Sequence, residues 1–399
     1  MATQKNIIDQ IFPETLKILS ELIKFQTVSG TSNLKLIEYC EKRLGKLGAT
    51  SFKTFDETKK RVNLFSTIAG KQKLNGGGII LSGHTDVVPA SAKEWSSNPF
   101  VATEKNNKVY GRGSCDMKGF IACALAVAPY FASQNLKKPI HFSFTYDEET
   151  ACQGAPIMIR ELKKRNINCS ICIVGEPTSM KTIQAHKGCY EYSTHFTGLA
   201  GHGSAPDKGV SAVEYAVRFI NKLMDLREVL KKRVPKNSAF TPPYSTLQIG
   251  RIKGGLARNV IADQCVVDWE LRPVVQEDGE FINKSIETYV KNVLLPEMKK
   301  IYPKANIEKE IIGEIIGFTK EEKSDAANLV CNLTGDNSRD VVSFGTEAGL
   351  FQEIGISTVV CGPGSIEQAH KIDEHVSFDQ LKLCLKMLID LKAQITNLT

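Results

Sequence analysis

The sequence contains no hydrophobic segment long enough to cross a membrane. Its longest nearly uncharged apolar run, Gly119 to Ser133, is shorter than the ~20 residues that a transmembrane helix requires. The N-terminal segment carries charges throughout and has no continuous apolar core, so we do not expect it to be a signal peptide. The sequence therefore predicts a soluble, cytoplasmic protein.

Paired cysteines are also lacking. The eleven cysteines are an odd number and most lie inside apolar stretches, which is typical of reduced core cysteines. Cys169 and Cys172 form a C-x-x-C motif that could indicate a zinc or redox site. No second pair follows it, and the surrounding NCSICIVG is more typical of a buried strand. We interpret Cys115 and Cys189, which lie near the motifs described below, as packing residues.

No basic stripe accompanies the net charge of +7. Short runs such as Lys163–Arg165 and Lys231–Arg233 lack interleaved aromatic residues, and they are more typical of solvated helix faces than of a nucleic-acid surface. The chain has 399 residues, of which 42% are hydrophobic and 24% charged. This composition indicates a globular protein, and the length favours two domains.

Apolar runs and amphipathic segments alternate in the first and last parts of the chain. Helical spacing of apolar residues predicts helices over Leu34–Leu47, Met117–Ala132 and Pro156–Lys164. Short apolar runs predict four strands: Gly78–Ser82, Ile140–Thr145, Ser170–Val174 and Ser357–Cys361. The alternation predicts an α/β domain with a largely parallel central sheet.

The middle of the chain has a different pattern. We predict four strands (Tyr190–Thr197, Ser245–Ile252, Gln264–Leu271, Ile307–Ile312) and two helices (Ser211–Leu230, Glu280–Lys300). Two helices over four strands predict a smaller α+β domain inserted into the first. The expected boundaries are 1–182 with 315–399 for the larger domain and 183–314 for the insertion.

Residues that commonly bind metal ions follow all four strands of the larger predicted domain. The strands run into His84 and Asp86, into Glu148 and Glu149, into Glu176, and towards His370, while Asp116 lies on the glycine-rich loop 111–119 before a helix. In open α/β sheets the functional crevice lies outside the carboxyl ends of the strands, so we expect these side chains to meet. That loop could also suggest a phosphate site, but the Lys-Ser/Thr of such loops is missing.

This set of side chains indicates a metal site better than a catalytic triad, because no activated serine or cysteine accompanies it. Imidazoles with carboxylates suit zinc, cobalt or manganese, and five ligands exceed the need of one catalytic ion. Asp86 is expected to hold the second nitrogen of His84. Of Glu148 and Glu149, one could bind metal while the other acts as general base. Taken singly, each histidine is more often an ordinary surface residue.

The motifs HTDVVP, VYGRGSCDMKGF, TYDEE, GEPT, GHGSAP and GPGSIEQAH resemble the M20 metallopeptidase family, in the family's order and over nearly the whole chain. The stretches RNVIADQCVVDWELRPV and VSFGTEAGLFQEIGISTVVCGPGSIEQAHKIDE are similar to the branch that deacetylates N2-acetyl-L-ornithine. The resemblance implies a zinc-exopeptidase-like catalytic domain with an inserted lid and dimerisation domain. It also implies two divalent ions per chain, zinc or alternatively cobalt, and a homodimer.

The resemblance also implies roles for individual residues. His84 and Glu176 would hold one ion, Glu149 and His370 the other, and Asp116 would bridge them. Glu148 would be the general base, activating a water between the ions, and Asp86 the partner of His84. The family often has a cis peptide after the bridging aspartate, here Asp116–Met117. His202 would reach the active site of the partner subunit and stabilise the oxyanion, although a simple exposed loop histidine is the alternative.

Four further residues are candidates for binding the substrate. Arg272, and Arg258 with Asn259, could bind its α-carboxylate, since a guanidinium group suits a carboxylate; surface ion pairing is the alternative for both arginines. Glu347 could bind the δ-ammonium group of ornithine or could cap a helix. The expected reaction yields acetate and L-ornithine for arginine biosynthesis. The alternatives are a related N-acyl-amino-acid deacylase, a desuccinylase or a dipeptidase.

Overall fold

The computed structural model describes residues 4–69 and 77–396. The chain divides into two compact units, one of Met1–Ala185, Phe318–Asp340 and Thr346–Thr399, and one of His186–Gly317 and Val341–Gly345. We call them the larger and the smaller unit and describe each by itself. No helix in the described ranges is both long and apolar enough to span a membrane.

The larger unit contains most of the secondary structure. Its helices are α1 (Gln4–Lys24), α2 (Leu34–Gly45), α3 (Lys118–Ala132), α4 (Ala155–Lys164), α8 (Asp325–Thr334), α9 (Ala348–Glu353), α10 (Phe378–Asp390) and α11 (Lys392–Thr396). Its strands are β1 (Thr50–Phe55), β2 (Val62–Ile68), β3 (Ile79–His84), β4 (Thr103–Lys105), β5 (Lys108–Tyr110), β6 (Ile140–Thr145), β7 (Ile171–Val174), β14 (Ser357–Val360) and β15 (His375–Ser377). Strands β8 (Ile183–His186) and β13 (Asp340–Val342) lie at the boundary with the smaller unit.

The main sheet has the order β1-β2-β6-β3-β7-β14-β8-β13. Its four central strands, β6, β3, β7 and β14, are parallel to one another, whereas β1, β2 and β8 pair antiparallel. The carboxyl ends of the four central strands therefore share one edge. A small sheet, β15-β5-β4, completes the unit.

Helix α3 is the centre of the larger core. Nearly all of its side chains are buried, which explains its apolar sequence without a polar face. It packs against α1, α10 and strand β3 of the main sheet. Gly175, at the end of β7, permits this approach, because a Cβ atom there would lie 2.0 Å from the ring of Phe120.

The smaller unit is a four-stranded antiparallel sheet with helices on one face. Its elements are β9 (Cys189–Thr197), α5 (Ala212–Leu230), β10 (Thr246–Gly254), β11 (Gln264–Arg272), α6 (Gln276–Tyr289), α7 (Leu295–Ile301) and β12 (Asn306–Ile315), with a short 3-10 helix at Pro206–Lys208. The sheet order is β10-β11-β9-β12. Alternate residues of β9 and β11, such as Phe196 and Trp269, pack under α5.

The predicted fold class is confirmed: a mostly parallel α/β sheet with a separate small antiparallel sheet. One predicted helix, Glu280–Lys300, is wrong in detail. Helix α6 begins earlier, at Gln276, and a π-helical turn at Val290–Leu294 separates it from α7. Pro296 lies at the start of α7 and has no N–H to continue a regular helix through this point. Helices α1, α8 and α10 were not predicted.

Candidate metal centre and active site

The strands deliver the candidate ligands to one edge of the main sheet, as the sequence predicted for open α/β folds. His84 is the last residue of β3, Glu148 and Glu149 lie three and four residues beyond the end of β6, and Glu176 lies two residues beyond β7. His370, with a left-handed backbone (φ 60°), lies on the loop after β14. The peptide bond between Asp116 and Met117 is cis, as the resemblance implied.

Asp116 lies between the two histidines. Its Oδ1 atom is 3.0 Å from Nε2 of His84, and its Oδ2 atom is 3.3 Å from Nε2 of His370. Burial raises the pKa of this carboxyl group, but the contacts with His370 and His84 outweigh it and hold the pKa below its usual range. One carboxylate thus presents a separate oxygen to each imidazole, which is the arrangement of a bridging ligand.

The remaining candidate ligands complete a group on each side of Asp116. Nε2 of His370 is 2.8 Å from Glu149 Oε2, and Nε2 of His84 is 4.0 Å from Glu176 Oε2. Hydrogen bonds to Asp116 and Glu149 raise the pKa of His370 to about 10. Burial raises the pKa of both Glu149 and Glu176. These buried carboxylates repel one another, and a cation would relieve that repulsion.

The donor atoms fit a pair of divalent cations. Those of His84, Asp116 and Glu149 lie within 4.8 Å of one another, and so do those of His84, Glu148 and Glu176. Oε1 of Glu176 is buried and has no hydrogen-bond partner among the described residues. Nitrogen and carboxylate donors suit zinc and its neighbours in the periodic table. By distance alone, Glu148 could be a ligand as well as a base.

The second nitrogen of His84 has a closer partner than expected. Its Nδ1 donates to the backbone carbonyl of Asp86 at 3.0 Å, whereas Asp86 Oδ1 is 3.5 Å away. The Asp86 carboxylate accepts hydrogen bonds from the backbone N–H of Glu148 (3.0 Å) and of Glu149 (3.2 Å), and from the Ser29 hydroxyl (2.7 Å). It therefore connects the strand end of His84 to the loop that carries the two glutamates.

Glu148 has the environment of a buried base. Burial raises the pKa of its carboxyl group well above the usual value, with contributions from Glu149 and Glu347. Its Oε1 atom accepts a weak hydrogen bond from the Cys152 thiol at 3.6 Å. A carboxyl group with a raised pKa holds a proton more readily at neutral pH, as general acid–base catalysis requires.

Glu374 is a site residue that the sequence analysis missed. It is 1% exposed, and its two oxygens accept hydrogen bonds from the backbone N–H of Gly113, Cys115 and Asp116 at 2.9–3.0 Å and from Arg112 at 2.7 Å. It thereby fixes the glycine-rich loop that carries Asp116. Only its position four residues after His370 hinted at this role, and the neighbouring carboxylate, Asp373, is partly exposed and accepts hydrogen bonds from Ser96 instead.

Glu347 is buried at the start of α9. It is 1% exposed, and neither carboxylate oxygen has a hydrogen-bond partner among the described residues. Its side chain forms no capping hydrogen bond at the start of α9, so the structure does not support the alternative that Glu347 caps this helix. Burial raises the pKa of this carboxyl group to about 7, although the nearby hydroxyl of Thr145 lowers it.

His202, Arg258 and Asn259 lie together in the smaller unit. His202 forms a β-bridge with Val260, and the N–H of Gly203 donates to the carbonyl of Asn259 at 2.8 Å. Nδ1 of the exposed His202 accepts the backbone N–H of Ser204 at 3.2 Å and lies 2.7 Å from the Ser204 hydroxyl, and with Nδ1 as the acceptor a neutral ring carries its proton on Nε2. The ring therefore presents a donor to solvent. Arg258 lines a groove of about 710 Å³ beside this loop.

Arg272 lies at the other end of the same sheet. It is the last residue of β11, whereas the loop with His202 follows the opposite end, where Gln264 pairs with Thr197. Eight steps of roughly 3.3 Å from Gln264 to Arg272 separate the two ends by about 26 Å. Arg272 forms an ion pair with Glu270 at 3.0 Å. The two candidate carboxylate-binding groups are therefore far apart within one chain.

Comparison with known proteins identifies the family. The model of peptidase family M20/M25/M40 matches residues 80–393, and the chain belongs to this family. It is 35% identical over 369 residues to an acetylornithine deacetylase of Buchnera aphidicola, covering 91% of this chain and 93% of that protein. It is 33% identical over 389 residues to an acetylornithine deacetylase of Pasteurella multocida, covering 96% and 98%. The family and these relatives show that the chain is a hydrolase that acts on amide bonds.

Solved structures share the whole fold. A tripeptidase from Staphylococcus aureus has a TM-score of 0.73 at 20% identity, covering 96% of this chain and 98% of that chain. An M20 metallo-carboxypeptidase from Sulfolobus solfataricus has a TM-score of 0.73 at 16% identity, covering 96% and 99%. A dinuclear metal-binding M20 peptidase from Bacillus subtilis has a TM-score of 0.65 at 14% identity, covering 97% and 99%.

Proposed function

We propose that this chain hydrolyses N2-acetyl-L-ornithine to acetate and L-ornithine. The observation that carries the proposal is the grouping of two imidazoles and three further carboxylates around Asp116 at one sheet edge. Relatives over more than nine-tenths of the chain that are named acetylornithine deacetylase support the choice of substrate. The reaction would supply ornithine for arginine biosynthesis in the cytoplasm.

His84 and Glu176 would hold one divalent cation, His370 and Glu149 the other, and Asp116 both. Zinc fits these donors, and cobalt is the alternative. When bound, the cations would lower the pKa of a water molecule and polarise the acetyl carbonyl. The residues of the larger unit would thus form the catalytic domain.

Glu148 would act as the base and then as the acid. It takes a proton from the attacking water, whose oxygen bonds to the acetyl carbon, and it passes that proton to the departing α-amine as the C–N bond breaks. Burial raises the pKa of its carboxyl group, which favours the second step, in which the proton is held and then donated. Asp86 would keep Glu148 in place through the backbone N–H that it accepts.

The smaller unit would provide the lid and the dimer interface. In the part of the chain that the structure describes, strand β10 pairs with β11 alone, so its other edge is open. Val217 and Met224 lie two helical turns apart on α5 and are 45% and 42% exposed, and Ile252 on β10 and Leu256 just after it are 47% and 92% exposed. Apolar exposure beside an open strand edge is typical of an interface, and we propose that a second copy covers it.

His202 and the substrate-binding residues would be shared between copies. The Nε2–H of His202 is a donor suited to the oxyanion of the tetrahedral intermediate. Because Arg272 and the His202 loop lie at opposite ends of β11, which are about 26 Å apart, we propose that Arg272 and Asn259 with Arg258 approach a given substrate from different subunits. Glu347 would bind the δ-ammonium group, since neither of its buried carboxylate oxygens has a hydrogen-bond partner among the described residues and an unpaired buried carboxylate is costly.

The test is a substrate panel on protein stripped of metal and refilled with zinc or cobalt. The panel contains N2-acetyl-L-ornithine, N-acetyl-L-norvaline, N-succinyl-diaminopimelate and a dipeptide, and kcat/KM is compared. We expect acetylornithine to be best by at least about tenfold, or about 1.4 kcal/mol in transition-state binding. A higher kcat/KM for the succinyl substrate or the dipeptide would show that acetylornithine is not the preferred substrate. No hydrolysis of any compound with either metal would contradict the proposal.

A further inference from the structure

The loop Tyr146–Gly154, between β6 and α4, carries both Glu148 and Glu149. Three of its residues have a left-handed backbone: Asp147 (φ 52°), Ala151 (φ 67°) and Cys152 (φ 53°). Residues other than glycine rarely adopt this conformation, because the Cβ atom then lies too close to the backbone. The loop therefore keeps its shape only because other groups hold it.

Asn63 closes the base of this loop. It lies on β2 and is fully buried. Its Oδ1 accepts the backbone N–H of Tyr146 at 3.1 Å, and its Nδ2 donates to the carbonyl of Gly154 at 2.9 Å and to the hydroxyl of Thr54 at 2.9 Å. One amide group thus binds both ends of the loop. A Cβ atom at Gly154 would lie 2.5 Å from the Tyr146 carbonyl and 2.6 Å from Asn63 Oδ1.

Asp147 is a second attachment point, within the loop. Its side chain is 2% exposed and forms an ion pair with Arg61, and its Oδ1 accepts the backbone N–H of Gly30 at 2.8 Å. Arg61 is held in turn by Asp56 at 3.1 Å. This charged contact fixes the left-handed residue that immediately precedes Glu148.

We propose that Asn63 and the Arg61–Asp147 pair are positioning residues of the active site. They hold the loop so that Glu148 and Glu149 stand in their working positions before any cation binds. The roles given to the two glutamates rest on the proposed function, whereas the holding of the loop does not. Groups that orient metal ligands from outside typically affect metal affinity or activity by 10–100-fold.

With Glu148 as the base, the loop carries a ligand of only one of the two proposed cations. Of the five ligands assigned under the proposed function, Glu149 lies on this loop, while His84, Asp116, Glu176 and His370 lie on other segments. Loosening the loop should therefore weaken the cation held by Glu149 and His370 and displace the base Glu148. The cation held by His84 and Glu176 should remain.

The experiment compares Asn63→Asp and Arg61→Gln with the control Thr54→Val. Aspartate keeps the shape of Asn63 but loses both N–H donors, and Thr54→Val removes the one bond of Asn63 that does not reach the loop. Amide hydrogen exchange is measured on metal-free protein, zinc per chain after gel filtration, and kcat and KM with acetylornithine. Arg61 is 23% exposed, so its variant keeps the test available if the Asn63 variant fails to fold.

In the two test variants we expect exchange of the 146–154 amides to rise at least tenfold. Bound zinc should fall from two ions to about one per chain, and kcat should fall 10–100-fold with little change in KM. Thr54→Val should match the wild type in all three measurements. Unchanged exchange at 146–154, or a rise spread equally over the main sheet, would overturn the proposal. If wild-type protein binds no zinc, the proposed function fails, but the exchange result still decides the role of Asn63.

Discussion

At the residue scale, the proton on His84 limits what its imidazole can bind. A backbone carbonyl only accepts, so Nδ1 carries a proton towards Asp86. Nε2 of the neutral ring then faces Asp116 Oδ1 at 3.0 Å with both atoms as acceptors. Two acceptor atoms at this distance repel each other unless a further proton or a cation lies between them. Burial disfavours the charged ring, but the carboxylates of Asp116, Asp86 and Glu176 hold the pKa of His84 well above its usual value. Such an electron-rich contact favours a cation.

For Glu148 we predict that Glu148→Gln abolishes turnover and keeps the metal. The amide has nearly the same shape but cannot take a proton from water, and losses of at least 10²–10⁴-fold in kcat are typical for a removed base. Turnover and zinc content of the purified variant are the measurements. Loss of one zinc ion per chain would mean that Glu148 is a ligand, which its distance to His84 and Glu176 also allows.

For Glu347 we predict a change of substrate preference. Glu347→Gln removes the negative charge that would bind the δ-ammonium group, so kcat/KM for acetylornithine should fall about 10–100-fold, as for loss of a buried charge-assisted contact. N-acetyl-L-norvaline has the same chain without the amine and serves as the matched control. Its kcat/KM should change little. An equal loss for both substrates would show that Glu347 does not recognise the amine.

At the scale of elements, the parallel strands position the site. A buried histidine on one of these strands also makes the stability of the fold depend on pH. His141 on β6 is 4% exposed, stacks on Phe65 and hydrogen-bonds to Thr67 on β2 at 2.9 Å. Burial lowers the pKa of its imidazole to about 4. The unfolded chain binds this proton near pH 6.5, so between pH 6.5 and 4 the unfolded state holds more protons and stability falls as the pH falls.

We therefore predict that His141→Gln flattens the pH dependence of stability. The free energy of unfolding of the wild type, minus that of the variant, should decrease by about 2 kcal/mol as the pH is lowered from 7 to 4.5. Urea unfolding at a series of pH values measures it. Thr67→Val is the control, because it removes the hydrogen bond but keeps the titrating ring and so should keep the wild-type slope. Parallel curves for wild type and His141→Gln would refute the prediction.

At the scale of the whole molecule, the position of His202 makes subunit exchange the decisive observation. If His202 serves the partner's site, Glu148→Gln and His202→Ala variants are each inactive, but their mixed dimer contains one site with Glu148 from one chain and His202 from the other. We expect a closed homodimer, the most common assembly. Random mixing makes half of the dimers mixed, and each mixed dimer has one intact site of two. Co-expression should therefore restore about a quarter of wild-type activity. Activity no higher than that of the separate variants would show that His202 acts within its own chain.

The sequence by itself determined the fold class and the candidate ligands. Four apolar runs with helices between them specify a parallel sheet, because such strands are buried on both faces. Because the carboxyl ends of parallel strands share one edge of the sheet, His84, Glu149 and Glu176, which follow such strands, are expected near one another. Local sequence was sufficient here because each of these residues lies within four positions of a strand end.

Tertiary structure decided how these ligands are held and which residues meet across long separations. The contacts of Glu374 with the loop of Asp116, and of Asn63 with both ends of the Glu148 loop, join residues that are 83 or more positions apart. Nothing local marks such residues, since a buried Asn or Glu has the same neighbours in sequence as an exposed one. Likewise the separation of Arg272 from His202 follows from antiparallel pairing of β9 and β11, because pairing register fixes which strand ends are adjacent.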